Sequence, residues 1–302
     1  MLNQSILLAI GRGGDVKFLE NSKVGAATRV FVKDPKKFDE EIVKTIKSIR
    51  HMLKLNVDGD PMFSRIDALV LGDDRYVDRD CGRTLITLLD EFEDCGTVHI
   101  HEFTHGDPFC GALNECMYQQ VHGGMDYTML WSHSVTSYAT EDNARAMLEA
   151  LEGGALVTGM VLKELRESIL AGRVLATMKI WNNQAFARIG FYDLRLGQPF
   201  ETAEKDKPYS PHFMELDGEQ VYTVAGVEEI IPLIRMGRMF GRPFIAPIVP
   251  RGHGVWDDEP DMTRERKKID SKVKRQERAV TLEGARLADI RDLVLPAYRN
   301  QK

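Results

Sequence analysis

The sequence predicts an α/β protein built on a mostly parallel sheet with helices on both faces. Two observations lead to this class. Short apolar, β-rich runs alternate with helical patterns over the first two-thirds of the 302 residues, and strands separated by helices of that length pair in parallel. Polar residues also follow several of the predicted strands directly, at the edge where parallel sheets bind ligands.

The first half of the chain contains the regular elements. The first predicted strand, SILLAIG, covers residues 5–11 and ends at a glycine turn. A helix follows in FDEEIVKTIKSIRHMLKLN, whose apolar residues recur at helical spacing after the start signal Asp34-Pro35. The other elements alternate as strands and helices: IDALVLGDD, GRTLITLLDEFE, TVHIHEF, GALNECMYQQVH, DYTMLW, EDNARAMLEALE and GALVTGMVL.

The last third is less regular. The pattern loosens over residues 195–224, which are predicted to form loops and short strands. VEEIIPLIRMGRMF then returns to a helix that tolerates Pro232 in its first turn. RPFIAPIVP is predicted to be extended, and residues 253–302 form a densely charged tail that is predicted to be helical.

Composition and charge exclude several classes of protein. An apolar content of 43% and a charged content of 28% are ordinary for a globular protein, and the net charge of −6 argues against nucleic acid as the main partner. No segment reaches the length of a membrane span, and the four cysteines show no paired spacing. We therefore expect a cytoplasmic protein. A peripheral membrane contact through RERKK is an alternative, which the interspersed acidic residues weaken.

Acidic residues follow the strand IDALVL. Asp73 and Asp74 come at the strand end, and Asp78 follows four residues after Asp74. Carboxylates at this position can accept hydrogen bonds from a ribose or a base. A solvated acidic turn is the alternative, and this stretch by itself favours it.

Two glycine-containing stretches could receive phosphate. Gly106 and Gly111 lead into a helix with Asn114 in its first turn, and the N–H groups at a helix start can bind phosphate or sugar hydroxyls. AIGRGGD, which contains Gly11 and Arg12, resembles a phosphate-binding glycine turn but lacks the GxGxxG spacing. Neither stretch is specific by itself.

Three histidines raise the question of a metal site. His99 and His101 fall on one face of a predicted strand, and His105 lies in the loop beyond it. Neutral histidines packed on a sheet surface are the favoured interpretation, so we assign no metal ligand among them.

Two adjacent carboxylates, Glu228 and Glu229, stand at a predicted helix start. A carboxylate at such a position can serve as general base toward a hydroxyl nucleophile. Solvation at the surface is an alternative of equal weight.

Taken in order, these pieces resemble the GT-A (Rossmann-like) fold of glycosyltransferases, in particular the inverting enzymes of glycosyltransferase family two. ALVLGDDRYVD is similar to that family's strand followed by Asp-Asp-Gly-Ser-x-Asp. GALNECMYQQVHGGMDYTMLWSHS is similar to its stretch from G-x-A-x-N into the Asp-x-Asp strand end. WNNQAFARIGFYD resembles its acceptor-side segment, and VEEIIPLIRMGRMFGRPF resembles the helix that carries its base. The resemblance covers residues 5–250.

The resemblance implies a nucleotide-sugar-binding half at residues 1–162, an acceptor half with an α+β extension at residues 163–252, and the tail beyond. It implies inverting transfer of a sugar from a UDP or GDP sugar to an unknown hydroxyl acceptor, with Glu229, beside Glu228, as the base. The candidate donor-binding residues that it implies are Asp73, Asp74, Asp78, Gly111 and Asn114, and Gly11 and Arg12 of the glycine turn are further candidates.

Three features depart from the family. The first loop is GRGGD, where the family usually has a proline and a nearby asparagine, and residues 16–34 are interpreted as an extra segment. The Asp-x-Asp motif is replaced by Ser132, His133 and Ser134.

Hydroxyls and one imidazole are poor ligands for Mg²⁺ or Mn²⁺, so we expect a metal-independent site, with a weakly bound divalent cation as the alternative. Cationic side chains can stabilise a departing diphosphate instead; those available are Arg12, His133, Arg251 and His253.

Two other functions stay open. Nucleotidyltransferases share the architecture but carry a Gly-x-Gly-x-Arg loop, from which GRGGD departs. A catalytically degenerate nucleotide-sugar-binding protein would keep its affinity without turnover.

The tail could form a homo-oligomer, because Ile269, Val273 and Val280 recur at near-heptad spacing, or it could pack on its own domain.

Overall fold

A computed structural model of the chain describes most of its residues, in the ranges 22–32, 35–72, 81–103, 110–161, 178–190, 213–216, 219–222, 229–251, 276, 280–281 and 283–299. Within these ranges, seven strands form one mostly parallel sheet with helices on both faces. The predicted α/β class is therefore confirmed. The strand predicted at residues 5–11 lies outside the described ranges.

The described strands form one large sheet and two hairpins. They are β1 (Val24–Val30), β2 (Asn56–Val57), β3 (Asp60–Pro61), β4 (Arg65–Leu71), β5 (Val98–Phe103), β6 (Tyr127–Trp131), β7 (Val157–Met160), β8 (Met178–Asn182), β9 (Phe213–Leu216), β10 (Glu219–Tyr222) and β11 (Ile245–Ile248). The large sheet has the order β11-β7-β8-β6-β1-β4-β5, and β8 is antiparallel to both of its neighbours. The β9–β10 hairpin confirms the short strands predicted within residues 195–224.

The described helices include those of the predicted alternation and a short helix at residues 183–187 that was not predicted. They are α1 (Phe38–Leu53), α2 (Cys81–Phe92), α3 (Cys110–His122), α4 (Glu141–Glu152), α5 (Asn183–Ala187), α6 (Ile230–Phe240) and α7 (Leu287–Asp292). Residues of α1, α2 and α4 pack on one face of the sheet, and residues of α3 and α6 pack on the other. Among the described helices, none is both long and apolar enough to cross a membrane.

Helix α1 shows how the sequence pattern produces this packing. A short 3-10 turn precedes it, and three acidic residues in its first turn favour the helix start through the helix dipole. Ile42, Ile49 and Met52 recur on one face and are buried against the sheet. Each such side chain contributes about 1.5–3 kcal/mol through the apolar area that it removes from water.

The interpretation of residues 16–34 as an extra segment is wrong, because this segment contains β1. β1 lies in the middle of the sheet between β4 and β6 and is parallel to both. Its sequence, VGAATRV, is rich in small residues that are rarely used in strands. A Cβ at Gly25 would overlap the side chain of Gln120 on α3, so the close approach of this helix explains the glycine.

Strand β8 was not predicted, although the quoted segment WNNQAFARIGFYD begins near its end. β8 inserts between β6 and β7 and reverses direction relative to both. Asn182 caps the following helix α5 by accepting a hydrogen bond from the Ala185 N–H group. The short strand carries Lys179 at a fully buried position, where apolar residues are expected.

The described part of the tail packs against its own domain. Val280, Ile290 and Val294 are buried in the cluster that also contains α6. Val294 forms a parallel bridge to Ile245 of β11. Of the three residues proposed for assembly, Val280 is thus covered by its own chain, and Ile269 and Val273 lie outside the described residues.

Candidate functional site

The sheet has a topological switch point between β1 and β6. From β1 the chain proceeds to β4 and β5 on one side, and then returns to place β6 on the other side of β1. In open α/β sheets, ligands bind in the crevice outside the carboxyl ends of two such strands. Ser132, His133 and Ser134, here called the SHS segment, directly follow β6 and therefore border this crevice.

The SHS segment presents two converging hydroxyls. Ser132 is extended, with φ −120° and ψ 146°, so it continues the alternation of β6 and faces the same side of the sheet as Leu130. The hydroxyl oxygens of Ser132 and Ser134 lie 3.0 Å apart in a hydrogen bond. All three residues of the segment are partly exposed.

A chain of hydrogen bonds holds this segment against α1. Trp131 Nε1 donates to Ser48 Oγ at 3.0 Å, and the Ser48 and Thr136 hydroxyls are 2.6 Å apart. Thr136 Oγ1 donates to the His133 carbonyl at 2.9 Å. Because that bond uses the Thr136 proton, the Ser48 hydroxyl must donate to Thr136. Thr28 Oγ1 of β1 also donates to the Trp131 carbonyl at 2.9 Å, which joins the two strands at the crevice.

Arg251 lies beside the helix that follows this segment. The Thr140 side chain caps α4 by accepting a hydrogen bond from the Asn143 N–H group. The Asn143 side chain in turn accepts a hydrogen bond from the Arg251 backbone N–H at 2.9 Å. The Arg251 residue is exposed, and its backbone lies beside the start of α4. His253 lies outside the described residues.

Glu229 is completely buried next to an ammonium group. It stands at the cap position of α6 with helical φ and ψ, and its side chain does not cap the helix. Its Oε2 lies 4.0 Å from Lys179 Nζ, and both side chains are 0% exposed. The alternative that Glu229 is solvated at the surface is therefore wrong. Glu228 lies outside the described residues.

The strand register places this ion pair near the crevice. Lys179 lies opposite Leu130 of β6 on one side and Gly159 of β7 on the other. Leu130 and Ile230 belong to the same apolar cluster, so the pair lies on the face that Ser132 also points toward. The Lys179 ammonium is also 5.1 Å from the ring centre of Trp181, a distance at which the ring face attracts a cation.

The other predicted donor-binding residues are only partly within the described ranges. Gly111 and Asn114 lie in the first turn of α3, and both are partly exposed. The strand before Asp73 ends at Leu71, and the Gly72 N–H donates to the Phe103 carbonyl at 2.9 Å. The described ranges leave out the remaining predicted residues, which are Gly11, Arg12, Asp73, Asp74 and Asp78.

One of the predicted strand histidines, His101, belongs to a polar cluster around the buried carboxylate of Asp67. Asp67 of β4 is 1% exposed and accepts hydrogen bonds from Arg65, from His101 Nε2 at 2.7 Å and from Gln120 Nε2 at 2.6 Å. Among the described residues, no three His, Cys, Asp or Glu side chains are placed to hold a metal ion. His99 lies beside this cluster on β5, and His105 lies outside the described ranges.

The cluster perturbs two pKa values. Burial alone would raise the pKa of Asp67, but the hydrogen bonds and positive charges of His101 and Arg65 outweigh it and bring that pKa below its ordinary value. Burial, with the nearby Arg65 charge, lowers the pKa of His99. Asp67 is therefore ionised and His99 neutral near pH 7.

Sequence reasoning missed Asp67 and Lys179. Both are charged residues inside apolar strands, in RIDALVL and MKIWN. A charged side chain at such a position must be paired, because burying it alone is very costly. That rule could have identified both residues, but it could not have named their partners.

No family model matches the chain, and no curated protein matches it. Among solved structures, the chain is similar to a cytidylyltransferase from Leptospira borgpetersenii serovar Hardjo-bovis (strain JB197), with a TM-score of 0.34 and 11% sequence identity. The match covers 55% of this chain and 63% of that chain, which is less than two thirds of its length.

Proposed function

We propose that this protein binds a nucleoside diphosphate sugar in the crevice between β1 and β6 and transfers the sugar to a hydroxyl acceptor. The observation that carries this proposal is the position of the SHS segment, which follows β6 at the switch point of the sheet. Its hydroxyls and imidazole can donate hydrogen bonds to phosphate oxygens. Gly111 and Asn114 at the start of α3, with Arg12 and the acidic residues after β4, complete the proposed donor site.

In this proposal Glu229 is the base, the role that the family resemblance implies for it. The acceptor oxygen forms a bond to the anomeric carbon while the bond from that carbon to the diphosphate oxygen breaks. The acceptor proton passes to Glu229, which Lys179 holds from 4.0 Å away. Because Glu229 is fully buried, the reaction requires that substrate binding exposes its carboxylate to the acceptor.

Positive groups stabilise the departing diphosphate in this proposal. His133 in the SHS segment and Arg251 beside α4 are the described candidates, and Arg12 and His253 are further candidates from the sequence. The SHS segment lacks the carboxylate oxygens that Mg²⁺ and Mn²⁺ prefer. The residues at this position therefore do not fit a divalent cation, and no step of the proposed reaction uses one.

A second candidate function is nucleotide-sugar binding without turnover. The complete burial of Glu229 against Lys179 favours it, because a base that stays in this ion pair cannot reach an acceptor hydroxyl. The donor site on the SHS segment would be the same in both cases. The two candidates therefore differ in the release of nucleoside diphosphate and not in affinity.

Product release distinguishes these possibilities. Purified protein is incubated with UDP and GDP sugars and a panel of hydroxyl acceptors, with and without Mn²⁺, and the release of UDP or GDP is measured. We expect release without metal, and a decrease of about 10²- to 10⁴-fold in Glu229→Gln, the range for loss of a general base. Glu152→Gln, at an exposed acid on α4, is the matched control. Binding without release would support the second candidate, and pyrophosphate release from a nucleoside triphosphate and a sugar phosphate would support a nucleotidyltransferase instead.

Donor binding is tested separately from turnover. UDP or GDP should raise the melting temperature of the protein, because a ligand that binds only the folded state stabilises it. Ser132→Ala and His133→Ala should reduce this shift. Ser64→Ala should not, because this exposed serine precedes β4 at the opposite edge of the sheet. An unchanged shift in both variants of the SHS segment would place the nucleotide elsewhere.

A further inference from the structure

Strand β5 forms one edge of the large sheet and lies beside an open groove. Among the described strands, β5 pairs with β4 and has no partner on its other side. A groove of about 470 Å³ runs between β5 and the second half of α2. Four consecutive residues of β5, from Val98 to His101, line it. Since successive side chains point to opposite faces of a sheet, the groove follows the outer backbone edge of the strand.

The hydrogen-bond pattern identifies the backbone groups that face this groove. The Ile66 N–H donates to the Thr97 carbonyl, and the Gly72 N–H donates to the Phe103 carbonyl. In a parallel pair, alternate residues of a strand direct their polar groups to the same neighbour. The residues of the other alternation, Val98, Ile100 and Glu102, therefore direct their N–H and C=O groups away from β4. The Val98 N–H donates to the Cys95 carbonyl at 3.0 Å, so a further strand would pair with Ile100 and Glu102.

The opposite wall of the groove is apolar and acidic. Leu89, Asp90 and Phe92 of α2 line this wall, and so does Glu93, which directly follows the helix. Leu89 is 46% exposed, an unusual degree for a large apolar side chain, and Ile86, one turn before it on α2, is 60% exposed. Asp90 and Glu93 are exposed and belong to no ion pair among the described residues. The groove thus combines apolar surface with uncompensated negative charge.

Electrostatics decides which kind of strand could bind. Glu102, on the edge strand itself, is also exposed. Two copies of this edge paired with each other would bring their acidic groups together, and charged residues on edge strands oppose such self-association. His99 adds no compensating positive charge near pH 7, because burial lowers its pKa. A basic partner is therefore favoured over a second copy of the chain.

We propose that β5 and α2 form a docking groove for an extended segment of a partner protein, which alternates basic and apolar residues and adds to the sheet as a strand. Main-chain hydrogen bonds to Ile100 and Glu102 supply the pairing, as in other cases of strand addition. The apolar side chains of the segment pack on Leu89 and Phe92, and its basic side chains lie near Asp90 and Glu93. This groove lies on the far side of β4 from the crevice between β1 and β6.

A synthetic peptide tests this inference with the full-length protein. The probe is a short dye-labelled peptide of alternating lysine and valine, and its binding is measured by fluorescence anisotropy at low and high salt. We expect salt-sensitive binding, and slower hydrogen–deuterium exchange of the Ile100 and Glu102 amides in the complex. A peptide in which glutamate replaces lysine should not bind. A lysine–valine peptide that is N-methylated throughout should not bind either, because it cannot donate main-chain hydrogen bonds.

Paired variants locate the site. Asp90→Lys combined with Glu93→Lys should weaken binding of the lysine–valine peptide by about tenfold, because the reversal removes two attractive charge pairs and adds repulsion. Asp60→Lys combined with Glu152→Lys makes the same charge change at exposed acids outside the groove and should leave the affinity within about twofold of the wild type. Equal weakening in both pairs, binding of the N-methylated peptide, or no protection at Ile100 and Glu102 would each overturn the proposal. So would dimerisation of the protein through β5.

Discussion

Two buried charge clusters differ in how their charges are satisfied. In the first, the Asp67 carboxylate accepts three hydrogen bonds from Arg65 and one each from His101 and Gln120. The second joins Lys179 and Glu229 at 4.0 Å, which is longer than a hydrogen bond. Arg65 and His101 are 18% and 23% exposed, whereas Lys179 and Glu229 are both 0% exposed.

The positions of the two clusters explain this difference. Asp67 lies near the amino end of β4, away from the ligand-binding edge, where a hydrogen-bonded carboxylate can link β4, β5 and α3. Lys179 pairs with the last part of β6, next to the SHS segment. A charge pair without close hydrogen-bonded geometry contributes little to stability for the desolvation that it costs. We infer that the second cluster is retained for the proposed chemistry, because it lies beside the SHS segment at the ligand-binding edge of the sheet.

The strongest test of the first cluster is removal of its central carboxylate. Asp67→Asn should lower the free energy of unfolding by about 3–5 kcal/mol, because it leaves the Arg65 charge without its partner. Urea denaturation measures this change, and Asp60→Asn, at an exposed position, is the control. A loss below about 1 kcal/mol would contradict the structural role assigned here.

The second cluster should behave differently in a double-mutant comparison. Lys179→Met should cost about 3 kcal/mol, because it leaves Glu229 buried beside an apolar side chain. Adding Glu229→Gln should restore much of that stability, since an ion pair of this geometry can be replaced by neutral groups. The same urea measurement applies to both variants. If the double variant loses as much stability as the two single variants together, Lys179 and Glu229 are not coupled, and the proposed difference between the two clusters is contradicted.

The packing around the first cluster gives a smaller effect. Gly25→Ala places a methyl group where the Gln120 side chain lies, and it should cost about 1–3 kcal/mol by displacing the donor to Asp67. Gly82→Ala on α2 has open space around its Cβ and should be neutral or slightly stabilising. Thermal unfolding of the two variants compares them directly. Equal melting temperatures would show that α3 accommodates the added methyl group without loss of stability.

The pH dependence of stability gives the smallest effect. Because the folded-state pKa of Asp67 is below its ordinary value of about 3.9, its stabilising contribution is complete above that value and declines as the pH falls through the folded-state pKa. A difference of one bound proton between the folded and unfolded states changes the slope of the unfolding free energy against pH by at most about 1.4 kcal/mol per pH unit. Unfolding free energies between pH 5 and pH 2 should therefore fall less steeply in Asp67→Asn than in the wild type. Equal slopes of unfolding free energy against pH in the two proteins would show that Asp67 does not contribute to the loss of stability in acid.

Much of the fold could be predicted from local pattern. Strands β4, β5, β6, β7 and β11 and helices α1, α2, α3, α4 and α6 each coincide with a predicted segment, because hydrophobic periodicity is a local property. Strands β1 and β8 were missed because each contains a residue that is unusual in a strand and that is explained only by its contact with another element. Gly25 makes room for Gln120, and Lys179 reaches Glu229.

The candidate site, too, could be predicted from sequence only in part. The SHS segment could be located from sequence, since it ends an apolar strand, and the order of the motifs led to Glu229. That Glu229 is buried, and that Lys179 is its neighbour, depends on pairing between residues about fifty positions apart. No local pattern reports such a contact, because burial is a property of the assembled chain.

Local sequence pattern is sufficient to predict the class of the fold, the order of most elements and the strand end at which a ligand is proposed to bind. The packed structure was needed to find that β1 lies between β4 and β6, that the chain reverses beside β6, and that Lys179 meets Glu229. The physical reason is that periodicity is encoded within single elements, whereas desolvation and charge pairing arise only when distant elements pack together.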